Sequence, residues 1–374
     1  MRDMREIRAV IVGATVVTIY LCLVLMTGRV DLVQFTDLFL TYATGSVTLW
    51  LVVGTMAMFV EIFRRMRQSG QEAFLFAFLR ESLEARWKRD RGAALLWPPL
   101  LFAAMIASFN SFKQMVLPVA GFGSDPWLAR ADRLLFFGHD GWRVTHFLFG
   151  SPQATRLIDS LYHGWFLPMA IGVILCAWLP ASTYRLRTQY LLSYVAVWIG
   201  LGSILALVFP SAGPCFYSHF VGAAPEFDSL TRRLNEIQAL NGEPLMALHN
   251  QAYLLKTFAG DRLSLGGGIS AMPSVHNGLA FLFALAAWRV NRPLGLIFGA
   301  YAAVIWVGSI HLGWHYGLDG VVAVALTLWI WRVCGRIADR LERPLLPSAA
   351  APALARQDRS RRRSNPRRQS QFDD

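Results

Sequence analysis

The sequence predicts an all-α, polytopic membrane protein: a bundle of about six to eight transmembrane helices with amphipathic interfacial helices beside it. The chain of 374 residues is 55% hydrophobic and only 16% charged, whereas a soluble domain has about 25% charged residues. The apolar residues are also gathered into long runs, and a run of roughly 18 or more apolar residues is long enough to cross the hydrocarbon layer.

Eight apolar runs are candidate spans, at residues 9–26, 38–60, 93–109, 161–179, 190–209, 275–288, 294–310 and 318–331. The first run is longer than the core of a signal peptide and no small-residue cleavage site follows it, so we expect it to be retained. The sixth and eighth runs are short, and they need flanking residues or a thinner bilayer to span.

Two further segments, 72–90 and 125–150, mix large apolar side chains with charged ones. This mixture is typical of amphipathic helices that lie in the headgroup layer. We therefore expect interfacial helices in both segments.

The distribution of basic residues predicts the orientation in the membrane. Of the 36 Lys and Arg residues, most fall in the connections that share a side with the two termini. The positive-inside rule places that side in the cytoplasm. We expect a multi-pass protein of the cell (inner) membrane, with cytoplasmic termini.

Much of the net charge of +12 lies in the last thirty residues. We expect residues 346–374 to form a disordered basic tail that contacts anionic lipids rather than nucleic acid. The remaining chain is predicted to comprise N-terminal spans and interfacial helices over 1–160 and a membrane core over 161–345.

A first polar cluster follows the glycines at 266–268. Pro273 or Ser274 can begin a helix, which would place His276 in the first turn. The free N–H groups of a helix N-terminus bind phosphate well. An ordinary helix cap beside an interfacial histidine is the alternative.

A second polar cluster lies between the seventh and eighth runs. His311, His315 and Asp319 are four residues apart, so a helical turn would place them on one face. A carboxylate that binds one imidazole nitrogen leaves the other free to attack phosphorus. A polar turn between two spans is the alternative.

The predicted topology brings the two clusters together, because the sixth and eighth spans both start on the outer side. The spans contain almost no other ionisable groups, with His163 the main exception, which argues against a proton-coupled transporter. His311, His315 and Asp319 could instead bind zinc. However, Leu312 stands where a zincin helix carries its Glu base, so we expect no metal or other cofactor.

Pro273-Ser274-Val275-His276 and His315-x3-Asp319 together resemble motifs of the type 2 phosphatidic acid phosphatase superfamily. The sequence is most similar to the branch that contains inositol phosphorylceramide synthase, an inositolphosphotransferase. Residues 209–214 also resemble a Pro-rich element of that branch. The resemblance covers residues 161–331.

This resemblance implies a membrane phosphatase or phosphotransferase that acts on a phospholipid or polyprenyl phosphate at the outer membrane face. His315 would form a phosphohistidine, and Asp319 would orient it. His276 would protonate the leaving oxygen and then activate the acceptor, which is water or an alcohol. Ser274 would help to hold the phosphate oxygens.

The sequence departs from the phosphatases at one position, because Ser309 replaces the Arg that they carry six residues before the nucleophile. Phosphoryl transfer requires positive charge around the phosphate. The remaining candidates for substrate binding are Lys113, Lys256, Arg262 and His311. Loss of the Arg favours the transferase branch. A non-catalytic lipid-binding or lipid-transport protein and a zinc-dependent membrane hydrolase are the alternative functions.

Overall fold

The computed structural model describes residues 3–342 except for 70–79, 82–83, 85–91, 180, 259 and 261. The predicted tail at 346–374 and most of the predicted interfacial segment at 72–90 therefore lie outside the described residues. Within the described part the protein is helical, and the prediction of an all-α fold is confirmed.

Thirteen α-helices of nine residues or more occur in the described part of the chain. They are α1 Asp3–Met26, α2 Leu32–Ser69, α3 Ala93–Ser111, α4 Asp125–Leu135, α5 Gly141–Phe149, α6 Pro152–His163, α7 Phe166–Leu175, α8 Tyr184–Ile199, α9 Pro225–Asn241, α10 Met246–Phe258, α11 Val275–Val290, α12 Arg292–His311 and α13 Gly317–Glu342. A π-helical turn, Phe112–Val116, prolongs α3, and another, Gly200–Leu205, prolongs α8.

Seven helical stretches in the described residues are long and apolar enough to cross a membrane, and they correspond to seven of the eight predicted runs. They are Ile7–Met26, Leu32–Arg64, Ala94–Ala120, Pro152–Leu175, Tyr184–Val208, Arg292–His311 and Gly317–Glu342. The sixth run forms α11, which has only 16 residues. At 1.5 Å per residue it is about 24 Å long, shorter than a hydrocarbon core of about 30 Å.

The short helix α11 lies at the centre of the bundle, where it packs against α8, α12 and α13. Its buried face carries Leu279, Ala280 and Leu282. The N-terminal helices α1 and α2 instead pack beside α3 and leave many apolar side chains exposed. An exposed apolar surface of this kind suits contact with lipid.

The predicted interfacial segment at 125–150 forms two helices, α4 and α5. The chain turns between them at Phe137 and Gly138, both of which have positive φ angles. Phe137 is 94% exposed. Both helices have a buried face and exposed apolar side chains, which is the pattern expected of an interfacial helix.

Candidate active site

A cavity of about 190 Å³ lies at the N-terminal end of α11. Its lining combines basic, neutral polar and aromatic side chains. The residues are Lys113, Tyr162, His163, Phe166, Ala212, Phe216, Asn250, Tyr253, Leu254, Leu265, Gly266, Gly268, Ile269, Ser270, His276, Trp314 and His315. The two predicted catalytic histidines therefore face one cavity.

The start of α11 fixes His276 in place. Ser274 is the N-cap residue, and its hydroxyl oxygen accepts hydrogen bonds from the backbone N–H of Asn277 at 3.3 Å and from its side-chain amide at 2.9 Å. The first bond gives a partner to a backbone N–H that has none within the helix, and the second gives one to the buried side-chain amide. Ser274 is buried and does not line the cavity, so its oxygen caps the helix, whereas His276 in the first turn reaches the cavity.

Aromatic rings surround the imidazole of His276. Its ring centroid lies 4.4 Å from that of Trp165, 5.3 Å from that of Tyr162 and 5.8 Å from that of His315. The first two contacts hold the imidazole, and the third places the two histidines next to each other at the cavity.

The connection between α12 and α13 differs from the helical turn expected over 311–319. The helix α12 ends at His311, and Gly313 then adopts a φ of +78°. Such a left-handed residue is a common way to end a helix. His315 therefore precedes α13, and Asp319 lies in its first turn.

His315 and Asp319 nevertheless form a pair. Nδ1 of His315 lies 3.3 Å from Oδ2 of Asp319, and the same oxygen accepts the backbone N–H of Tyr316 at 3.1 Å. Because an ionised carboxylate can only accept, Nδ1 is the protonated nitrogen and Nε2 remains free as a nucleophile. The backbone N–H of His315 also donates to the carbonyl of Ser309 at 3.0 Å.

The Pro-rich element at 209–214 and the next residue connect the two catalytic segments. Ser211 accepts the backbone N–H of Ala271 through its carbonyl at 2.9 Å and that of Met272 through its hydroxyl at 2.8 Å. Four residues later, the N–H of Cys215 donates to the carbonyl of Gly313 at 2.9 Å. This stretch, 211–215, is termed the bridging segment below.

A buried carboxylate on α4 holds the bridging segment. Asp125 accepts the backbone N–H groups of Ala212 at 2.7 Å and Gly213 at 2.9 Å, and the hydroxyl of Tyr316 at 2.8 Å. Burial raises the pKa of Asp125, although the three hydrogen bonds oppose that rise. Burial also raises the pKa of Tyr316, so its hydroxyl group keeps its proton and remains a donor at neutral pH.

Asp132, two turns further along α4 and facing the start of α13, accepts the backbone N–H of Leu318 at 3.2 Å. A carboxylate suits a helix N-terminus. Burial raises its pKa to about 6, and the nearby charge of Asp319 adds to that rise. The helix that carries Asp125 and Asp132 is therefore part of the site's support.

Lys113 is the one Lys or Arg among the described cavity-lining residues. It lies in the π-helical turn after α3, against Gly268. Gly268 has a φ of +88°, and a Cβ atom there would lie 2.8 Å from Cγ of Lys113. Lys256 and Arg262 are exposed and do not line the cavity, so the structure brings only Lys113 to the histidines.

His311 lies apart from the cavity. Its ring stacks on that of His146 with 3.8 Å between centroids, and its Nε2 lies 2.9 Å from Oγ1 of Thr155. Burial lowers the pKa of His146. The zinc alternative requires His311 beside His315 and Asp319, and no group of three such ligands occurs among the described residues.

A second His–Asp pair lies beside the cavity, and its histidine, His163, is part of the lining. In the sequence His163 is an ionisable residue within a predicted span, and local patterns assign no role to it or to Asp159. Nδ1 of His163 lies 3.0 Å from Oδ1 of Asp159. The four-residue spacing of this pair, the same as that of His315 and Asp319, is the signal that could have identified it.

The rim of the cavity includes exposed apolar side chains. Phe166 at the start of α7 is 54% exposed, and Leu265 in the loop before α11 is 51% exposed. Lys113 and the histidines line the same cavity and are less exposed. A polar interior beside an apolar rim suits a molecule with a charged head and an apolar tail.

Comparison with known proteins gave one match. No curated protein and no solved structure matches the chain. The family model described as PAP2 superfamily matches residues 126–333, beginning in α4 and therefore including helices that precede the resemblance noted at 161–331. The match supports the superfamily but provides no evidence for the inositol phosphorylceramide synthase branch. Because the match covers more than half of the chain, this protein belongs to the PAP2 superfamily and is a multi-pass membrane enzyme of the phosphatase type.

Proposed function

We propose that the protein transfers a phosphoryl group, or a headgroup phosphate, from a phospholipid or polyprenyl phosphate through a phosphohistidine at His315. The observation that carries the proposal is the placement of two histidines in one cavity, with ring centroids 5.8 Å apart and one of them bound to Asp319. A lipid-binding scaffold would need neither the pairing nor the second histidine.

In the first half-reaction Nε2 of His315 attacks phosphorus as the bond from phosphorus to the leaving oxygen breaks. Asp319 keeps Nδ1 protonated and stabilises the positive charge that develops on the ring. The leaving alkoxide takes a proton from His276. Proton transfer of this kind commonly accelerates a reaction by about 10²- to 10⁴-fold.

In the second half-reaction the oxygen of water or of an alcohol attacks the phosphorus of the phosphohistidine. His276, now unprotonated, takes the proton from that oxygen, and the bond between phosphorus and Nε2 of His315 breaks. Both histidines return to their starting state. Water gives phosphatase activity, and an alcohol gives phosphotransferase activity.

Positive charge for the phosphate comes from Lys113 and the N-terminus of α11. Ser309, at the position of the phosphatases' Arg, is buried and bonded to Asn277 and to the carbonyl of Trp306. The site therefore has fewer fixed charges than a simple phosphatase. This difference favours the phosphotransferase, and an inositolphosphotransferase-like enzyme is the specific form we propose.

The lipid is proposed to enter sideways, past the exposed side chains of Phe166 and Leu265, with its head reaching the histidines.

We propose that this occurs at the outer face of the cell membrane, with both termini in the cytoplasm and the basic tail on anionic lipids. A cysteine replacing Ser218 should then react with an impermeant thiol reagent in intact cells, whereas one replacing Ser360 should not. Labelling of only the cysteine that replaces Ser360 would show that the orientation is the reverse of the one proposed.

The direct test of the activity uses purified protein in detergent with a panel of phospholipids and polyprenyl phosphates, each with and without inositol. We expect release of phosphate or of a phosphorylated alcohol from at least one donor, and His315→Ala should eliminate it. Turnover that persists in His315→Ala, or binding without turnover across the panel, would contradict the proposal.

A further inference from the structure

The proposed reaction uses His276 and His315 but not His163, although all three line one cavity. The side chains of His163 and Asp159 are each only 4% exposed. Burying an imidazole and a carboxylate is costly, and an apolar pair of similar size is often at least as stable. The pair therefore calls for an explanation beyond packing.

Asp159 has a structural role that does not require the imidazole. Its Oδ2 accepts the backbone N–H of Met246 at 2.7 Å, and its Oδ1 accepts that of Ala247 at 3.0 Å. These are free N–H groups at the start of α10, so the carboxylate ties α6 to α10. The cap is complete without His163, because the two backbone N–H groups already bind the carboxylate. The cap in turn fixes the position of Asp159 beside His163.

The contacts of His163 determine which nitrogen carries its proton. Nδ1 lies 2.9 Å from the backbone oxygen of Asp159 and 3.0 Å from its Oδ1. A carbonyl oxygen can only accept, so Nδ1 is the donor and the neutral ring has a lone pair on Nε2. Since the Nδ1 edge is engaged, Nε2 is the nitrogen left for a ligand in the cavity.

A lone pair on Nε2 matches a hydroxyl group better than a phosphate. An ionised phosphate oxygen has no proton to donate. It could therefore form no hydrogen bond with Nε2, because both atoms are acceptors. An alcohol can donate its proton to Nε2. The neighbouring wall includes Asn250 and Ser270, which are also uncharged, and the ring of Trp314 lies 6.3 Å from that of His163.

We infer that His163, held by Asp159, binds a hydroxyl group of an alcohol acceptor and positions that acceptor for attack on the phosphohistidine. The inference rests on the proposed function and adds a separate acceptor-binding group to it. The acceptor's attacking oxygen forms its bond to phosphorus as the bond to Nε2 of His315 breaks, and its proton goes to His276. His163 accepts a hydrogen bond and exchanges no proton.

The experiment separates the two half-reactions. Purified full-length protein receives p-nitrophenyl phosphate as donor and glycerol as the acceptor probe. The p-nitrophenol burst reports phosphoenzyme formation, and the ratio of glycerol phosphate to inorganic phosphate reports the acceptor. The variants are His163→Phe, which keeps a ring but removes the lone pair, and His163→Gln, whose side-chain oxygen can still accept. His249→Phe, an exposed histidine on α10 outside the cavity lining, is the matched control.

We expect His163→Phe to keep the burst and to lower the product ratio by about three- to tenfold, the effect of losing one neutral hydrogen bond. His163→Gln should give an intermediate ratio, and His249→Phe should equal the wild type. An unchanged ratio in His163→Phe and His163→Gln would overturn the inference. So would a slower burst at an unchanged ratio, because His163 would then act on the donor phosphate. No burst in the wild type would overturn the proposed function itself.

Discussion

The hydroxyl group of Tyr316 donates a 2.8 Å hydrogen bond to Asp125, the carboxylate that also accepts the backbone N–H groups of Ala212 and Gly213. Tyr316 directly follows His315 in the chain. One buried side chain on α4 therefore connects the bridging segment with the residue next to the proposed nucleophile, across nearly two hundred residues of sequence.

Replacing Asp125 with Asn should weaken both stability and activity. The amide keeps one accepting oxygen, but its NH₂ group would face a backbone donor. Leaving a buried donor unpaired costs about 1–3 kcal/mol, so we expect a lower temperature of thermal unfolding in detergent and a loss of turnover. Asp37→Asn, at an exposed carboxylate on α2, is the control. Equal effects of the two substitutions would show that the Asp125 contacts contribute little.

The raised pKa of Asp132 predicts that the stability of the protein depends on pH. Its pKa is about 6 in the folded protein, against an ordinary value of 3.8. Because the folded pKa is raised, the protonated carboxyl contributes stability at low pH, and this contribution is lost as the pH rises from about 4 through 6. The size of the change is on the order of 3 kcal/mol.

The Asp132→Asn variant, which cannot ionise, isolates this contribution. Relative to the wild type, its thermal unfolding temperature in detergent should rise as the pH increases from 4 to 7. Comparing the two proteins at each pH removes the effect of other titrating groups. A difference that stays constant over that range would contradict the prediction.

Lys113 is predicted to be the basic residue that binds phosphate. Lys113→Met should lower kcat/KM by about 10²-fold, as removal of one stabilising charge does in other active sites. Lys256→Met makes the same chemical change at an exposed site outside the cavity lining, so its kcat/KM should remain close to that of the wild type. Steady-state kinetics with a phosphorylated lipid measure both. A larger loss in Lys256→Met would place the phosphate elsewhere.

The effect of His276→Ala should depend on the leaving group. With a lipid donor, whose alkoxide needs a proton, the first step should fail. With an aryl phosphate, which leaves without a proton, the phosphoenzyme should form and then persist because the second step has no base. Rapid-quench measurement of bound phosphate distinguishes the two cases. A phosphoenzyme that turns over normally in His276→Ala would exclude this residue as the base.

The apolar runs and the two motifs could be predicted because each is local in the sequence. A span needs only its own composition. The spacing of four indicates the pairing of His315 with Asp319, although His315 lies before α13 and not within one helix with Asp319. The end of α12 at His311 is harder to predict, because it depends on the backbone conformation of Gly313 and no hydrophobic pattern marks it.

The supporting contacts could not be predicted from local patterns. Asp125, Ser211 and Asp159 make contacts across 61 to 191 residues of sequence, and nothing in their neighbourhoods indicates these distant partners. The side-chain directions of Lys256 and Arg262, which the structure leaves exposed, likewise depend on how α10 and the loop after it pack. Tertiary packing determines which polar residues of a span end or loop reach a cavity.

The most direct test of the account traps the phosphoenzyme with a radiolabelled donor and identifies the labelled residue. The account predicts an acid-labile label on His315 in the wild type, none in His315→Ala, slower labelling in Asp319→Asn and normal labelling in His311→Ala. A label that forms normally in His315→Ala but disappears in His311→Ala would contradict the assignment of the nucleophile.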